Sequence, residues 1–174
     1  MLIKITDNFY QIKDALSDEL IAETLNRFKN KDNWKKLPNY GYDRMECNIS
    51  LSDTLSNKIY NETTSIISNI TNIKLYQNSP QLWYDTSGYI NKVHKDISEN
   101  LQVNIQIYLN DDDDENCGTY CEDGGWHSVP FKFNTGYVLI NPTKIEHGMK
   151  FPVKKERLSL YQSYRTTETA KGDW

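Results

Sequence analysis

The residues able to do chemistry are few, because the 174-residue sequence contains only three histidines. His94 and Asp96 form an H-x-D pair, and on an extended strand two side chains with this spacing project to the same face. His147 comes from a distant segment of the chain. Two imidazoles and one carboxylate on one face of a metal form a facial triad, which leaves open positions and is typical of non-haem iron oxygenases. The pattern therefore predicts a metal centre at His94, Asp96 and His147.

Arg157 and Ser159 strengthen this interpretation. In an extended segment their side chains share one face, while Leu158 and Leu160 lie on the other. A guanidinium beside a hydroxyl can hold a terminal carboxylate in a forked hydrogen-bonded pair. A five-carbon keto diacid would suit both sites, because its keto acid end can chelate the metal while its distal carboxylate meets Arg157. Without this pair, the histidines and Asp96 could equally be unrelated polar surface residues.

The remaining histidine and two cysteines offer a weaker metal site. His127 could replace His147 as a ligand, but no arginine–serine pair follows it at a comparable distance. Cys117 and Cys121 could bind a metal together with His127, yet a structural zinc site prefers four ligands and a fourth is missing. Free thiols that simply pack in the interior are the commoner case. We therefore expect His127 in an exposed loop and both cysteines in packing roles.

The first part of the chain has the periodicity of helices. Ser17 can cap a helix, with Asp18 and Glu19 in the first turn, where the helix dipole favours acidic groups. A second helix is predicted over residues 52–70. Apolar residues recur every three or four positions and give each helix one face to bury. They are Leu20, Ile21, Leu25 and Phe28 in the first helix, and Leu55, Ile59, Ile66, Ile67 and Ile70 in the second.

From Leu82 onward the pattern is that of strands. Leu101–Asn110 alternates, with Val103, Ile105, Ile107 and Leu109 on one face and Asn104, Gln106 and Tyr108 on the other. Helices followed by short strands predict an α+β fold, a sandwich or small barrel behind helices. No linker interrupts the chain, so residues 1–174 are expected to form a single domain. The further predicted strands are Thr119–Cys121, Phe131–Phe133, Gly136–Ile140 and Leu158–Tyr164.

Composition excludes several classes of function. The net charge is −4 and the sequence pI is about 5.4, which argues against binding to nucleic acid through its phosphate backbone. No apolar run approaches the ~20 residues of a membrane span, so no membrane association is expected. The three cysteines are sparse and odd in number, which favours reduced thiols in a cytoplasmic protein. The scarcity of alanine beside abundant Asn, Ile and Lys indicates an AT-rich source, bacterial or viral.

Taken together, these motifs resemble the Fe(II)/2-oxoglutarate-dependent dioxygenases, in particular their prolyl-4-hydroxylase-like branch. The resemblance covers about residues 10–165, nearly the whole chain. It rests on seven short segments whose joint spacing is more specific than any one of them, although in Cys117-Gly118-Thr119 one glycine of the family's usual Gly-Gly-x-Thr-like start is replaced. They are Asp14-Ala15-Leu16-Ser17-Asp18-Glu19-Leu20, His94-Lys95-Asp96, Asn104-Ile105-Gln106-Ile107-Tyr108-Leu109-Asn110-Asp111, Cys117-Gly118-Thr119, Gly136-Tyr137-Val138-Leu139-Ile140, His147-Gly148 and Arg157-Leu158-Ser159.

The resemblance implies a fold. It is a double-stranded β-helix, that is, a cupin-like jelly roll, with the N-terminal helices packed on one sheet. About residues 1–78 would form the helical support and about residues 80–165 the jelly-roll core. The strands that carry His147 and Arg157 would lie in opposite sheets, with both side chains facing the cavity.

The resemblance also implies an activity: hydroxylation of an unactivated C–H bond, with release of succinate and CO2. The substrate would be a peptidyl proline, another amino acid or another small molecule, and Asp96 favours hydroxylation because related halogenases lack this carboxylate. Fe(II), 2-oxoglutarate and O2 would be required, with ascorbate as a stimulant. The implied residues are His94, Asp96 and His147 as catalytic metal ligands, Arg157 as catalytic and cosubstrate-binding, and Ser159, Tyr84 and Tyr108 as cosubstrate-binding.

The sequence leaves alternatives open. A non-catalytic jelly-roll module could keep the fold and a structural metal, and a zinc hydrolase could use the same triad. Both tyrosines, Tyr84 and Tyr108, could equally be core residues. The acidic run Asp111–Glu115 is by default a solvated loop, and Arg165 could reach the substrate or lie at the surface. The oligomeric state is not indicated.

Overall fold

The structure is a computed structural model that describes residues 1–30, 34–37, 44–98, 100–111 and 115–167. The described part contains two α-helices, α1 (Asp18–Lys29) and α2 (Thr54–Ile67), and twelve strands. The strands are β1 (Leu2–Lys4), β2 (Phe9–Lys13), β3 (Lys35–Lys36), β4 (Arg44–Asn48), β5 (Tyr76–Gln77), β6 (Gln81–Asp85), β7 (Leu101–Tyr108), β8 (Thr119–Glu122), β9 (Trp126–Ser128), β10 (Thr135–Ile140), β11 (Glu146–Met149) and β12 (Arg157–Arg165).

Both helices begin where the side chain of a capping residue satisfies a free backbone N–H group. Ser17 accepts a hydrogen bond from the Leu20 amide, and Asp53 accepts one from the Leu55 amide. The predicted second helix is therefore present but shorter at both ends. Of the described helices, neither is long and apolar enough to cross a membrane.

Two antiparallel sheets carry the fold. The larger has nine strands in the order β1-β2-β10-β7-β12-β6-β4-β3, with β5 pairing with β12. The smaller has the order β11-β8-β9. His147 lies on β11 and Arg157 on β12, so the prediction that their strands belong to opposite sheets is confirmed.

The larger sheet has an apolar outer face and a mixed inner face, which is polar mainly on β7 and β12. On β7, Val103, Ile105 and Ile107 pack with the buried faces of α1 and α2 in the main hydrophobic cluster. The residues that alternate with them turn toward the smaller sheet, where a second cluster includes Tyr108 and Phe131. The alternation in the sequence thus predicted which side chains face the interior between the sheets, and the predicted α+β class is confirmed.

The division into a helical part and a strand part is less clean than predicted. Five strands, β1 to β5, come before residue 78 and all belong to the larger sheet. Strand β2 pairs with β10 and β4 pairs with β6, so early segments complete both flanks of the cavity wall. The predicted strand Phe131–Phe133 is wrong, because this segment pairs with no strand and Phe131 serves as a buried anchor.

Candidate active site

The two histidines are brought together by the backbone. His94 and His147 form an isolated antiparallel bridge, in which each amide donates to the other's carbonyl oxygen at 2.9 Å. The Asp96 amide donates to the carbonyl of Pro142, in the turn before β11, at 3.1 Å. His94 and Asp96 therefore sit on an extended segment next to β11 and not on a strand of their own.

Gly148 allows the His94 segment to lie this close to β11. A β-carbon at this position would lie 2.8 Å from the carbonyl oxygen of Asn91 and 2.8 Å from the backbone of Val93. Such a contact is far inside van der Waals distance, so any larger residue would push the His94 segment away from β11. The glycine after His147 therefore has a structural reason that the sequence motif alone did not reveal.

The three predicted ligands point their binding atoms at one place. Nε2 of His94 lies 3.3 Å from Oδ1 of Asp96, and Nε2 of His147 lies 3.6 Å from the same oxygen. The three ligand atoms all fall within 4.8 Å of one another, and no other such group occurs among the described residues. Two imidazoles and a carboxylate in this arrangement suit a facial triad around a divalent metal such as Fe(II).

Hydrogen bonds fix the tautomer of both rings in their neutral form. Nδ1 of His94 bonds the carbonyl of Lys92 at 2.7 Å, and Nδ1 of His147 bonds the carbonyl of Ile145 at 3.0 Å. A carbonyl oxygen can only accept, so each Nδ1 carries a proton, and in the neutral ring that binds a metal each Nε2 is the nitrogen with the lone pair. Such outer hydrogen bonds orient histidine ligands in metal sites.

Asp96 is oriented in a similar way. Asn104, on the inner face of β7, donates through Nδ2 to Asp96 Oδ2 at 2.6 Å and leaves Oδ1 turned toward the histidines. Burial opposes ionisation of Asp96, but its hydrogen bonds with His94 and Asn104 and the charge of His147 outweigh that effect and lower its pKa. The hydrogen bond with Asp96 raises the pKa of His94, whereas burial lowers that of His147.

Arg157, the predicted carboxylate-binding residue, lies deep between the sheets beside two charged residues that the sequence did not reveal, Asp85 and Arg44. Its Nε and Nη2 donate to Asp85 Oδ2 at 2.9 and 2.8 Å. Arg44 donates to the same carboxylate, from Nε to Oδ1 at 2.6 Å and from Nη2 to Oδ2 at 3.0 Å. We call Arg44, Asp85 and Arg157 the arginine cluster, and each of its side chains is at most 3% exposed.

Ser159 and Tyr108 face the same interior. Ser159 lies directly opposite Tyr108 in the pairing of β12 with β7, and its hydroxyl accepts a hydrogen bond from Gln106 at 2.9 Å. The Tyr108 ring centre lies 5.8 Å from the Arg157 guanidinium, and its hydroxyl bonds Thr119 at 2.8 Å. Both residues are therefore placed beside Arg157, as the sequence predicted.

Tyr84 is placed elsewhere. It pairs with Leu158, whose side chain faces the helices, and its hydroxyl donates to Glu156 at 2.9 Å on the exposed rim. The neighbouring Asp85 takes the inward direction instead, opposite Arg157. Because side chains alternate across a strand, Tyr84 cannot share the face of Arg157, and we leave it out of the proposed site. Tyr89, buried with its ring centre 5.9 Å from the Arg157 guanidinium, is the tyrosine that the sequence missed.

The other residues considered from sequence do not join this site. His127 lies on β9 opposite Cys121 and not at the triad. Cys117 and Cys121 are buried free thiols, as predicted, and neither belongs to a cluster of metal-binding groups among the described residues; burial raises the pKa of Cys121 to about 12, as suits a packed thiol. Of the acidic run, residues 112–114 lie outside the described part of the chain.

A cleft of about 310 Å³ opens near the metal end of the larger sheet. Ser163, which lines the cleft, lies directly opposite Asn104 in the β12–β7 pairing, and Asn104 in turn bonds Asp96. Arg165 also lines it, and its side chain is buried. Most of the lining residues have polar side chains, with Leu101 among them, and none of the three predicted metal ligands lines the cleft; the polar ones include Glu46, Asn48, Asn78, Gln81, Ser163 and Arg165.

Comparison with known proteins gives a likeness in structure only. No protein-family model matches the sequence, and no curated protein sequence matches it. A prolyl-4-hydroxylase from Pseudomonas putida is similar at a TM-score of 0.71 and 15% identity, covering 92% of this chain and 93% of that one. The viral collagen prolyl hydroxylase of Paramecium Bursaria Chlorella virus-1 is similar at 0.66 and 16% identity, covering 92% and 97%.

A third similar structure contains bound small molecules. HygX from Streptomyces hygroscopicus, solved with nickel, 2-oxoglutarate and hygromycin B, matches at a TM-score of 0.71 and 11% identity, covering 95% of this chain and 86% of that one. These likenesses confirm the predicted double-stranded β-helix. The chain therefore has the fold of the 2-oxoglutarate-dependent oxygenases, with helices on the outer face of its larger sheet.

Proposed function

We propose that this protein is an Fe(II)/2-oxoglutarate-dependent dioxygenase that hydroxylates an unactivated C–H bond and releases succinate and CO2. One observation carries the proposal: the inner face of the larger sheet joins a three-ligand metal cluster at one end to a buried arginine at the other. Asn104 orients the metal carboxylate at the first end, and Ser159 lies beside Arg157 toward the second. A keto diacid has the two unlike ends that such a cavity would hold.

His94, Asp96 and His147 would hold the metal, and Arg157 with Ser159 would hold the distal carboxylate of 2-oxoglutarate. The metal, when bound, supplies the activation of dioxygen that no amino acid side chain provides. Gln106 donates to the Ser159 oxygen, which leaves the hydroxyl proton of Ser159 available for a carboxylate. Tyr108 and Tyr137 are buried near this face and exclude water from it.

We infer a second substrate with polar groups, a small molecule or a peptide, from the cleft near the metal end. Its hydroxyls and amides offer many hydrogen bonds, and Glu46 and Arg165 offer opposite charges. Similar structures include a prolyl hydroxylase from Trichoplax adhaerens in complex with a peptide fragment, and HygX with hygromycin B. Both substrate classes are therefore compatible with this fold.

We also propose a single-domain protein that resides in the cytoplasm and does not bind nucleic acid. The net charge of −4 supports the last point. The three free cysteines, Cys47, Cys117 and Cys121, support a reducing compartment.

The test is succinate formation from 2-oxoglutarate by purified protein with Fe(II), O2 and ascorbate. We expect slow turnover without a second substrate, and none for Asp96→Ala. A non-catalytic metal-binding module would bind the metal and form no succinate. A zinc hydrolase would have no need of 2-oxoglutarate and would not bind it. Either result would overturn the proposal.

A further inference from the structure

The arginine cluster contains more charge than a single carboxylate-binding arginine requires. Arg44 and Arg157 each donate two hydrogen bonds to Asp85, which is fully buried. With both guanidinium groups protonated and the carboxylate ionised, the cluster carries a net charge of +1. The charges on Arg44 and Arg157 hold the pKa of Asp85 below its ordinary value against the opposing effect of burial, so this charge state applies at neutral pH.

The cluster is closed off from solvent on its other sides. The Arg44 guanidinium carbon lies 4.0 Å from the Trp83 ring centre and 4.4 Å from that of Tyr89. Arg157 donates through Nη1 to the carbonyl of Cys117 at 3.3 Å. Charges interact strongly in such a desolvated interior, so the net charge of the cluster matters over several ångströms and not only at direct contact.

We propose that Arg44 and Asp85 determine cosubstrate specificity by setting the charge at the closed end of the cavity to +1, which one distal carboxylate neutralises. This inference rests on the proposed use of 2-oxoglutarate. Asp85 accepts from the Nε and Nη2 of Arg157 and the Cys117 carbonyl accepts from Nη1, so one N–H on each of Nη1 and Nη2 remains for the cosubstrate. Asp85 and Arg44 are then positioning residues that act on the cosubstrate through Arg157.

The charge sum predicts the effect of each substitution. Arg44→Gln leaves a neutral Asp85–Arg157 pair, so the attraction for a distal carboxylate should fall by roughly ten- to a hundredfold in affinity. Asp85→Asn leaves a charge of +2 and should bind 2-oxoglutarate at least as tightly as wild type. The double variant Arg44→Gln/Asp85→Asn returns the charge to +1 and should recover most of the lost affinity. Arg44→Lys keeps the charge but loses the forked bond to Asp85, so its affinity should lie closer to that of wild type than to that of Arg44→Gln.

The experiment compares two ligands in the full chain. Anaerobic calorimetry with Mn(II) in place of Fe(II) gives the Kd of 2-oxoglutarate and of 2-oxopentanoate, which has the same length but ends in a methyl group. Only the first should respond to the charge, so the ratio of the two affinities should collapse in Arg44→Gln and recover in the double variant. Unchanged 2-oxopentanoate binding shows that each variant is folded. Arg27→Gln, which removes an exposed cation on α1 that pairs with Asp53, is the matched control and should change neither Kd.

Three results would overturn the inference. Arg44→Gln could keep the wild-type ratio, or Arg44→Lys could lose as much as Arg44→Gln. The double variant could also be as weak as Arg44→Gln while still binding 2-oxopentanoate normally, which would mean that Arg44 acts by packing alone. Failure of the wild-type protein itself to bind 2-oxoglutarate with Mn(II) would instead reject the proposed function together with this inference.

Discussion

The two ends of the inner cavity are built on opposite principles. At the metal end, the His94 side chain is 38% exposed and backbone groups hold the two histidines: a bridge between the His94 segment and β11, and a carbonyl bonded to each imidazole. At the other end, Arg44, Asp85 and Arg157 hold one another through side-chain hydrogen bonds and have almost no contact with solvent.

The difference follows from what each end must accept. A metal ion brings its own charge, so its ligands need only the correct orientation beforehand. A buried guanidinium needs a charged partner even without a cosubstrate, because an unpaired charge in the interior costs several kcal/mol, and Asp85 is that partner for both Arg44 and Arg157. Substitutions at the metal end should therefore change binding and spare stability, whereas substitutions in the arginine cluster should change both.

The largest effect is expected from loss of a metal ligand. His94→Ala should abolish detectable Fe(II) binding and succinate formation, because only three side chains hold the ion. Stability of the metal-free protein should change by less than about 0.5 kcal/mol, since the ring is partly exposed. Iron content and a urea titration measure the two. His127→Ala is the control and should keep its iron; normal iron content in His94→Ala would contradict the site.

Next in size is removal of Arg157. Arg157→Ala should weaken 2-oxoglutarate binding by two to three orders of magnitude, since breaking a buried charge pair costs ~3–5 kcal/mol. Arg157→Lys should be intermediate, because it keeps the charge and loses the fork. Calorimetry with Mn(II) gives the Kd, and Mn(II) binding itself should stay near normal. Unaltered 2-oxoglutarate affinity in Arg157→Ala would assign the carboxylate to another cation.

Asp85→Asn should show the loss of unfolding free energy that we expect in the arginine cluster and not at the metal end. Its folded-state pKa is lowered, so its contribution is present above the unfolded value of about 3.9 and is lost as pH falls through the folded pKa. Asp85→Asn should lose ~3 kcal/mol of unfolding free energy at pH 7 and show a flatter decline below pH 4. Urea titrations between pH 2 and pH 7 test this, with Asp7→Asn, an exposed carboxylate, as control. Equal losses in both variants would contradict the comparison.

A smaller effect is expected from loss of Asn104, whose side chain orients the metal ligand Asp96. Asn104→Ala removes the 2.6 Å bond that orients Asp96 and should lower metal affinity by about 10- to 100-fold, as is usual for outer-shell partners. Competition with a chelator of known affinity measures the loss. Unaltered affinity would mean that the backbone alone orients Asp96.

The smallest effects distinguish the two faces of the larger sheet. Ser159→Ala should weaken 2-oxoglutarate binding by about 1 kcal/mol, or roughly fivefold, as one neutral hydrogen bond. Tyr84→Phe should leave it unchanged, because its hydroxyl bonds Glu156 on the rim. A Kd for each variant decides the matter, and a larger loss in Tyr84→Phe than in Ser159→Ala would reverse the assigned faces.

Much of this protein was readable from local sequence patterns. Capping by Ser17, the faces of β7 and the relation of Arg157 to Ser159 all depend on periods of 3.6 or 2 residues within one element. The choice of His94, Asp96 and His147 rested on the scarcity of histidines, the H-x-D spacing and the Arg157–Ser159 pair that follows. Local periodicity is enough wherever a single element decides which side chains share a face.

Only the tertiary structure decided the rest. Arg44 and Asp85 carry no sequence signal, and they meet Arg157 because β4 pairs with β6 and β6 with β12. The registers of these pairings turn Asp85 inward and Tyr84 outward, a difference of one residue that reverses the predicted role of Tyr84. Pairing between distant strands depends on which faces the whole fold can bury, and no local pattern contains that information.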